Sequence, residues 1–529
     1  MLNKRNVIVY VLLTVLVLSI PTIYFISKAM DKGSNKAKEI YKKKYIYTIN
    51  VFDPASYSLD PRVKYLEDKF NIEFKLIPVN FNDWDDKVRI LISSGQTPDI
   101  VWSRFQNQTV YEVERWVKEG VFRELPDINI YPNLFKLKVK MASDEALKIN
   151  GKDYIWTSSI GNKSIKDINL CMYFYRKDWA EKLGLSKEEY TWEEFKNLIK
   201  EIVAKDPGEN GKGNTIGLTT IGWGYPGFVT TYFPTPGYTT GGYRLSNGKY
   251  IWAASAPETL KGIKELKIMY DQNIIWKEQP YAKNDDGPNK FYSGQAAALY
   301  NNWIPLNINA ARENLKKTDP NIDVNKAVAP LYVRNPDGDL IVNENGDYWS
   351  AVLLKANMED EKADRLFKMW DWIASAEGYK FSTLGIEGKD WNENGGIIKL
   401  LWKKDVYGNY ISPYKGEGYR IMQMVSYWHY FDLTDNQMFP VEVRNQAMAV
   451  TSRMLSNDVK MLKRDYGADF FSGPNIEKIG TLTIGQNTEI NNLLVNSNNI
   501  EKDWKAWVNS KLPTIQPVLD ELNKGLLNK

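Results

Sequence analysis

Apolar positions along the chain change period repeatedly, and each change marks an element. Tyr45 to Phe52 alternates as a strand does, Pro61 to Phe70 has helical spacing, and Asn71 to Val79 reads as a second strand. Trp84, Val88 and Leu91 then recur on one helix face, with Asp83 placed to cap it. Gly95 stops that helix and Pro98 prevents its resumption, so Asp99 to Trp102 reads as a short buried strand. Thr109 to Glu119 is helical up to Gly120. This β-α-β-α-β order predicts a mostly parallel sheet covered on both faces. Asn150-Gly151 predicts a tight hairpin within residues 147–156.

The pattern restarts at the apolar run Leu170 to Arg176. A short helix ends at Gly184, and Thr191 with Glu194 forms a capping box for a helix with Phe195, Leu198, Ile199 and Ile202 inward. Strands are predicted at Ile216 to Thr220, Gln295 to Trp303, Lys326 to Val333 and Tyr348 to Leu354, and a helix at Glu361 to Ala374. Two successive α/β units followed by a return of strand and helix predict two lobes joined by a hinge with several chain crossings. The boundaries expected are 45–168 plus 350–390 for the first lobe and 169–349 plus 391–529 for the second. A ligand would lie in the cleft between them, trapped by hinge closure.

Before the first strand, Lys4 and Arg5 precede an apolar stretch from Val7 to Ile26. Roughly 20 apolar residues span a bilayer, whereas a signal-peptide core takes about 7–15. Residues 1–29 therefore read either as a signal peptide cleaved near Ala29 or as an uncleaved membrane helix. Residues 30–44 are polar and Lys-rich, the composition of a flexible tether. The bulk of the chain is expected outside the membrane.

Composition narrows the function classes. Charged residues at 25% and apolar residues at 43% are ordinary for a globular protein, and a net charge of +4 over 529 residues gives no support for nucleic-acid binding. One cysteine, Cys171, and one histidine, His429, leave no intrachain disulfide and no Cys/His zinc site. Tyr (32) and Trp (18) are abundant, and many sit in Gly/Pro/Asn/Thr-rich segments, which favours a groove lined by loops.

Several stretches resemble one family in order. Ser93 to Trp102 (SSGQTPDIVW) is similar to the S-G-x-x-P-D-I signature of family 1 extracellular solute-binding proteins, the sugar receptors of ATP-binding cassette importers. Gly151-Lys152-Asp153-Tyr154, then Tyr175-Arg176-Lys177-Asp178-Trp179 through Gly184, Thr191-Trp192 with Glu194-Phe195, Phe291 with Gly294, Ala296 and Ala297, Trp372 to Gly378, and Gly385 to Gly388 continue the set. The resemblance implies a type II periplasmic-binding-protein-like α/β fold, an oligosaccharide ligand, the membrane permease subunits of an importer as partners, and no catalytic residues, metal or cofactor. Two departures stand out. Relatives carry a lipid-modified cysteine after the signal peptide, and this chain has none before Cys171, which gives the N-terminal helix weight as the anchor at the extracellular face. A calcium-type loop of relatives reads Asp206 to Asn214 here, with Gly208 and Asn214 in place of two carboxylates, so a plain turn is expected.

A neutral oligosaccharide presents apolar C–H faces and a rim of hydroxyls, which call for flat aromatics and planar polar groups. The candidates at strand ends and in irregular segments are Asp53, Trp102, Arg104, Trp156, Trp223, Tyr225, Asn302, Trp303, Tyr348 and Trp349. Two other functions fit the same residues. A secreted glycoside hydrolase would need an acid and a base about 5–10 Å apart, and a membrane-tethered envelope protein would transport nothing.

Overall fold

A computed structural model of the chain describes residues 40–527 except 82, 105–109, 139–140, 142, 160–167, 170, 222–228, 230–231, 234–241, 284, 345, 347, 405–409, 415–417, 427–438 and 480–485. The expected membrane segment and the first part of the tether lie outside the described residues, and among the described residues no helix is long and apolar enough to cross a membrane.

The first sheet has the order β2-β1-β3-β14-β4, built from β1 (Tyr45–Val51), β2 (Ile72–Pro78), β3 (Ile100–Ser103), β4 (Trp156–Ser159) and β14 (Tyr348–Leu354). β1 is parallel to β2 and β3, as the β-α-β-α-β order predicts, and β14 inserts antiparallel between β3 and β4. Asp99 fixes the start of β3 against β1. The Thr48 N–H and hydroxyl donate to its carboxylate at 2.8 and 2.9 Å, and Lys362 lies 3.0 Å away. Burial alone would raise the Asp99 pKa, but those partners outweigh it and hold the carboxyl below the usual aspartate value. Asp83 is not a side-chain cap of the Trp84–Ser93 helix, contrary to expectation. That helix is held by its buried face, Trp84, Val88, Leu91 and Ile92. At the hairpin, Asn150 (φ 53°) and Gly151 (φ 75°) both take the left-handed conformation, and Ile149 pairs with Lys152.

The second sheet, β7-β12-β6-β11-β8, comprises β6 (Cys171–Tyr175), β7 (Glu189–Tyr190), β8 (Ile216–Thr220), β11 (Ala296–Asn302) and β12 (Ala329–Val333). β6 runs antiparallel to both β11 and β12, whereas β11 is parallel to β8 and β12 to β7. Its helix Trp192–Lys205 starts with the expected capping box of Thr191 and Glu194. Hairpins β9–β10 (Tyr243–Ser246, Lys249–Trp252) and β15–β16 (Trp391–Asn394, Ile397–Leu400) stand apart from the main sheets. A three-stranded sheet, β17-β13-β5, joins β5 (Ile168–Asn169), β13 (Leu340–Glu344) and β17 (Val459–Leu462).

Each large sheet has its own core. Ile421, Met422, Met424 and Val425, expected with the second lobe, pack into the core of the first. The C-terminal helix Ile500–Leu527 packs into the second core through Trp504, Ile515 and Val518. The tether's last residues are docked rather than free: the Asn71 amide donates to the Tyr41 carbonyl at 2.7 Å, and the Arg365 guanidinium lies 3.7 Å from the Tyr41 ring centroid.

Candidate functional site

β1 and β3 end at the same edge of the first sheet, and β14, being antiparallel, begins there. This edge brings together Phe52 and Asp53 after β1, Arg104 after β3, Trp349 in β14 and the first turn of the Trp84–Ser93 helix. The base of the edge is rigid. The Asn50 side chain, fully buried, donates to the Trp102 carbonyl at 2.7 Å and accepts the Trp102 N–H at 2.9 Å. The Trp84 indole donates to the same carbonyl at 2.8 Å.

Above that base the rings grade from buried to exposed. Trp84 and Trp102 are shut from solvent with centroids 4.6 Å apart, and Phe52 packs edge-on to Trp84 at 4.6 Å. Phe81 is 42% exposed and lies nearly parallel to the half-buried Trp349, their planes 10° apart and centroids 6.3 Å apart. Phe81 and Trp349 together put a small aromatic surface at this edge of the sheet.

Two guanidinium groups flank these rings. Asp85, in the first turn of the Trp84–Ser93 helix, accepts from Arg104 at 2.8 Å and from the Ser103 hydroxyl at 2.7 Å, holding Arg104 5.8 Å from the Phe81 centroid. Arg420 stands 5.4 Å from Trp349, 5.6 Å from Phe52 and 4.9 Å from Tyr419. Asp53, left-handed at φ 34°, is exposed, and its carbonyl accepts the Ser56 N–H. The arrangement offers a flat apolar ledge ringed by planar donors and one acidic acceptor.

Of the sequence candidates, Asp53, Arg104 and Trp349 meet at this edge. Trp102 lies under it, fully buried with its indole donating to Ser350 at 2.9 Å, and so serves as support. Tyr348 adjoins the edge but is buried and stacks on Phe470 at 6.1 Å. Trp156 is a core residue whose indole donates to the Met424 carbonyl at 3.0 Å. Asn302 and Trp303 lie elsewhere, at the end of β11 in the second sheet. Trp303 is 1% exposed and packs 4.4 Å from Phe174, and its indole N–H has no partner among the described residues. Trp223 and Tyr225 lie outside the described residues. Phe81, Trp84, Tyr419 and Arg420 were absent from the sequence candidates. Phe81 and Trp84 share the segment NFNDW beside a turn signal, but Tyr419 and Arg420 follow a long irregular stretch with no local pattern.

The degenerate loop is filled by its own donors. The Asp206 carboxylate accepts the Asn210 and Gly211 N–H groups at 3.1 and 2.9 Å and the Thr215 hydroxyl. At Gly208, where a second carboxylate would stand, a Cβ would come within 2.3 Å of the Trp179 ring. These residues do not fit a calcium ion.

Comparison with known proteins places this geometry. The family profile described as "Bacterial extracellular solute-binding protein" matches residues 55–380. Lipoprotein LipO of Bacillus subtilis (strain 168) is 24% identical over 354 residues, 65% of this chain and 66% of that protein's own length. The polygalacturonan/rhamnogalacturonan-binding protein YtcQ of the same organism is 24% identical over 75% of this chain and 76% of its own. Among solved structures, the alginate-binding protein AlgQ2 without calcium ion superposes with a TM-score of 0.67 at 15% identity, over 91% of this chain and 98% of that one. The S. pneumoniae substrate-binding protein FusA in complex with kestose gives 0.63 at 16% identity, over 92% and 99%. The fold is thus the type II periplasmic-binding-protein fold, and the chain belongs to the bacterial extracellular solute-binding proteins.

Proposed function

We propose that this protein captures an oligosaccharide in the cleft between its lobes and delivers it unaltered to the permease of an ATP-binding cassette importer. The observation that carries this reading is the exposed Phe81–Trp349 ledge backed by buried tryptophans. Apolar sugar faces cover such a ledge, and Asp53, Arg104 and Arg420 take the hydroxyl rim. The opposing wall would come from the second lobe, with Asn302 at the end of β11. Two facts of topology support this pairing. β14 starts at the ledge and β6 starts beside Asn302, and both adjoin the small sheet through which the chain passes between lobes. Relatives named for sugar binding agree, among them the multiple sugar-binding protein of Streptococcus mutans, 25% identical over 56% of this chain. An N-terminal segment would hold the protein at the outer face of the cytoplasmic membrane, or be cleaved near Ala29.

Binding without turnover fits the ledge better than hydrolysis, since Asp85 is committed to Arg104 and Ser103 rather than presented to a bond. Isothermal calorimetry against a panel of neutral and acidic oligosaccharides, with chromatography of the recovered sugar, tests the reading. Saturable binding of intact sugar is expected. Released fragments would instead indicate a hydrolase, and silence across the panel a tethered envelope protein.

A further inference from the structure

Arg420 reaches the ledge from beyond the stretch that the family profile matches, which stops at residue 380. After the helix Ala376–Leu384, the hairpin β15–β16 and the residues that follow it build a small core of their own from Leu384, Trp391, Leu400 and Trp402, with Tyr414 packed against it. Tyr414 is the grip of this unit on the first lobe. Its hydroxyl donates to Asp390, whose carboxylate also accepts the Ile386 N–H at 2.7 Å. The face of its ring lies 3.8 Å from the guanidinium carbon of Arg62.

Arg62 is half of a buried pair. Asp60 joins the helices Pro54–Leu59 and Pro61–Phe70, the first of which starts just after Asp53 at the ledge. Arg62 donates through Nη2 and Nε to the two Asp60 carboxylate oxygens at 2.7 and 3.1 Å, and through Nη1 to the Ser382 carbonyl at 2.8 Å. The Arg62 backbone N–H adds a fourth bond, to Asp60 at 2.9 Å. The two side chains are 4% and 2% exposed, so neither can meet a sugar. A pair bonded this fully holds Asp60 in one rotamer. Gly418 is seated on that carboxylate: a Cβ at 418 would overlap the Asp60 Cβ and stand 2.8 Å from Oδ2. The φ of Gly418 lies outside the left-handed region, so glycine is required there by the close approach and not by the backbone. The next two residues are Tyr419 and Arg420. The short helix Arg420–Gln423 buries Ile421 and Met422 in the first core, and Arg420 Nη1 donates to Gln423 at 2.9 Å. The guanidinium is thus held from its own helix, and the entry to that helix is held by Asp60.

We infer that the Asp60–Arg62 pair is a positioning device for the ledge: it seats Gly418, thereby fixes Arg420 over Trp349, and so sets the affinity of a surface that neither residue touches. The inference rests on the oligosaccharide capture proposed above. A side chain at 418 has no space against Asp60, so the chain must back away there and carry Arg420 with it.

Fluorine NMR of ligand-free protein labelled with fluorotryptophan tests the placement, with the Trp349 resonance identified by its loss in Trp349→Phe. Arg420→Ala is expected to shift that resonance, and Gly418→Ala to shift or broaden it with the far-ultraviolet spectrum unchanged. Asp206→Ala, which loosens a loop of the other core, is expected to leave it in place. Calorimetry against the panel of neutral and acidic oligosaccharides supplies the second readout. Gly418→Ala should weaken whichever sugar the parent binds by about 3- to 30-fold, and in the Arg420→Ala background the same change should alter affinity by no more than about twofold. An unmoved Trp349 resonance in Gly418→Ala or in Arg420→Ala overturns the inference, as does an equal shift in Asp206→Ala, whether or not sugar binds. Parental affinity in a shifted Gly418→Ala also overturns it, and so does an undiminished loss in the Arg420→Ala background. The expected shifts in a protein that binds no panel sugar would uphold the placement of Arg420 and overturn the capture reading. Should Gly418→Ala fail to fold, Asp60→Asn, which keeps the shape of the side chain and loosens its hold on Arg62, decides with the same expectations.

Discussion

Replacing Trp349 and, separately, Trp102 by alanine discriminates the ledge from its support. Trp102 is fully buried, touches Trp84 and Phe52 at centroid distances of 4.6 and 5.1 Å, and donates to Ser350. Burying an aromatic of ~200 Å² is worth about 5 kcal/mol by area. Truncating large core side chains costs about 3–5 kcal/mol once partial relaxation is included. No polar group is orphaned in addition, since the Ser350 hydroxyl still donates to Ser158 at 3.1 Å. At about 2–4 °C per kcal/mol for units of 150–250 residues, Trp102→Ala should melt roughly 6–20 °C lower. Trp349 is only half-buried and leaves no large cavity, so Trp349→Ala should cost about 1 kcal/mol or less of stability. As an anchor ring it should lose at least about 1.4 kcal/mol of binding, a tenfold weaker affinity. Differential scanning calorimetry and isothermal calorimetry on both variants read the two quantities. Wild-type affinity in Trp349→Ala, or a stable Trp102→Ala that has lost affinity, would refute the assignment of roles.

The Asp99 carboxyl is held below its unfolded value, so its contribution is complete above about pH 4 and disappears as pH falls through the lower folded value. Asp99→Asn should therefore be less stable than the parent by roughly 1–3 kcal/mol at pH 7, with the gap narrowing as the pH falls below about 4 in urea titrations; a constant gap contradicts this. Asp206→Ala should cost about 1 kcal/mol of stability by freeing two loop N–H groups, and neither calcium nor chelator should move the parent's melting temperature. Burial pushes the Cys171 thiol up to about 12, so Ellman's reagent should leave it unmodified at pH 8 until denaturant is added.

The sequence made elements legible where a local pattern and the tertiary demand coincided. The capping box at Thr191, the Asn150-Gly151 turn and the strand at Asp99 are local chemistry, and each is present in the fold. Which aromatic faces solvent is decided by distant neighbours. Trp102 is buried because β14 and the Trp84–Ser93 helix close over it, and Trp303 because Phe174 packs against it. Arg420 reaches Trp349 from 71 residues away in sequence, which no period or motif encodes. The turn back of residues 421–425 into the first core is likewise a tertiary choice, since RIMQMV reads equally well as an apolar segment of either lobe.

The placement of β14 bears on how the chain acquires its shape. Val352 pairs with Trp102 across 250 residues and with Trp156 across 196, so the strand that joins β3 to β4 is made long after both of them. A chain released from its N-terminus onward holds β3 and β4 apart, each with an unpaired flank, until the whole second sheet has been synthesised. Loop closure over such separations is slow, and open flanks invite wrong partners. A molecule wired this way suits passage across a membrane as an unstructured thread, because early completion of its first half is topologically forbidden.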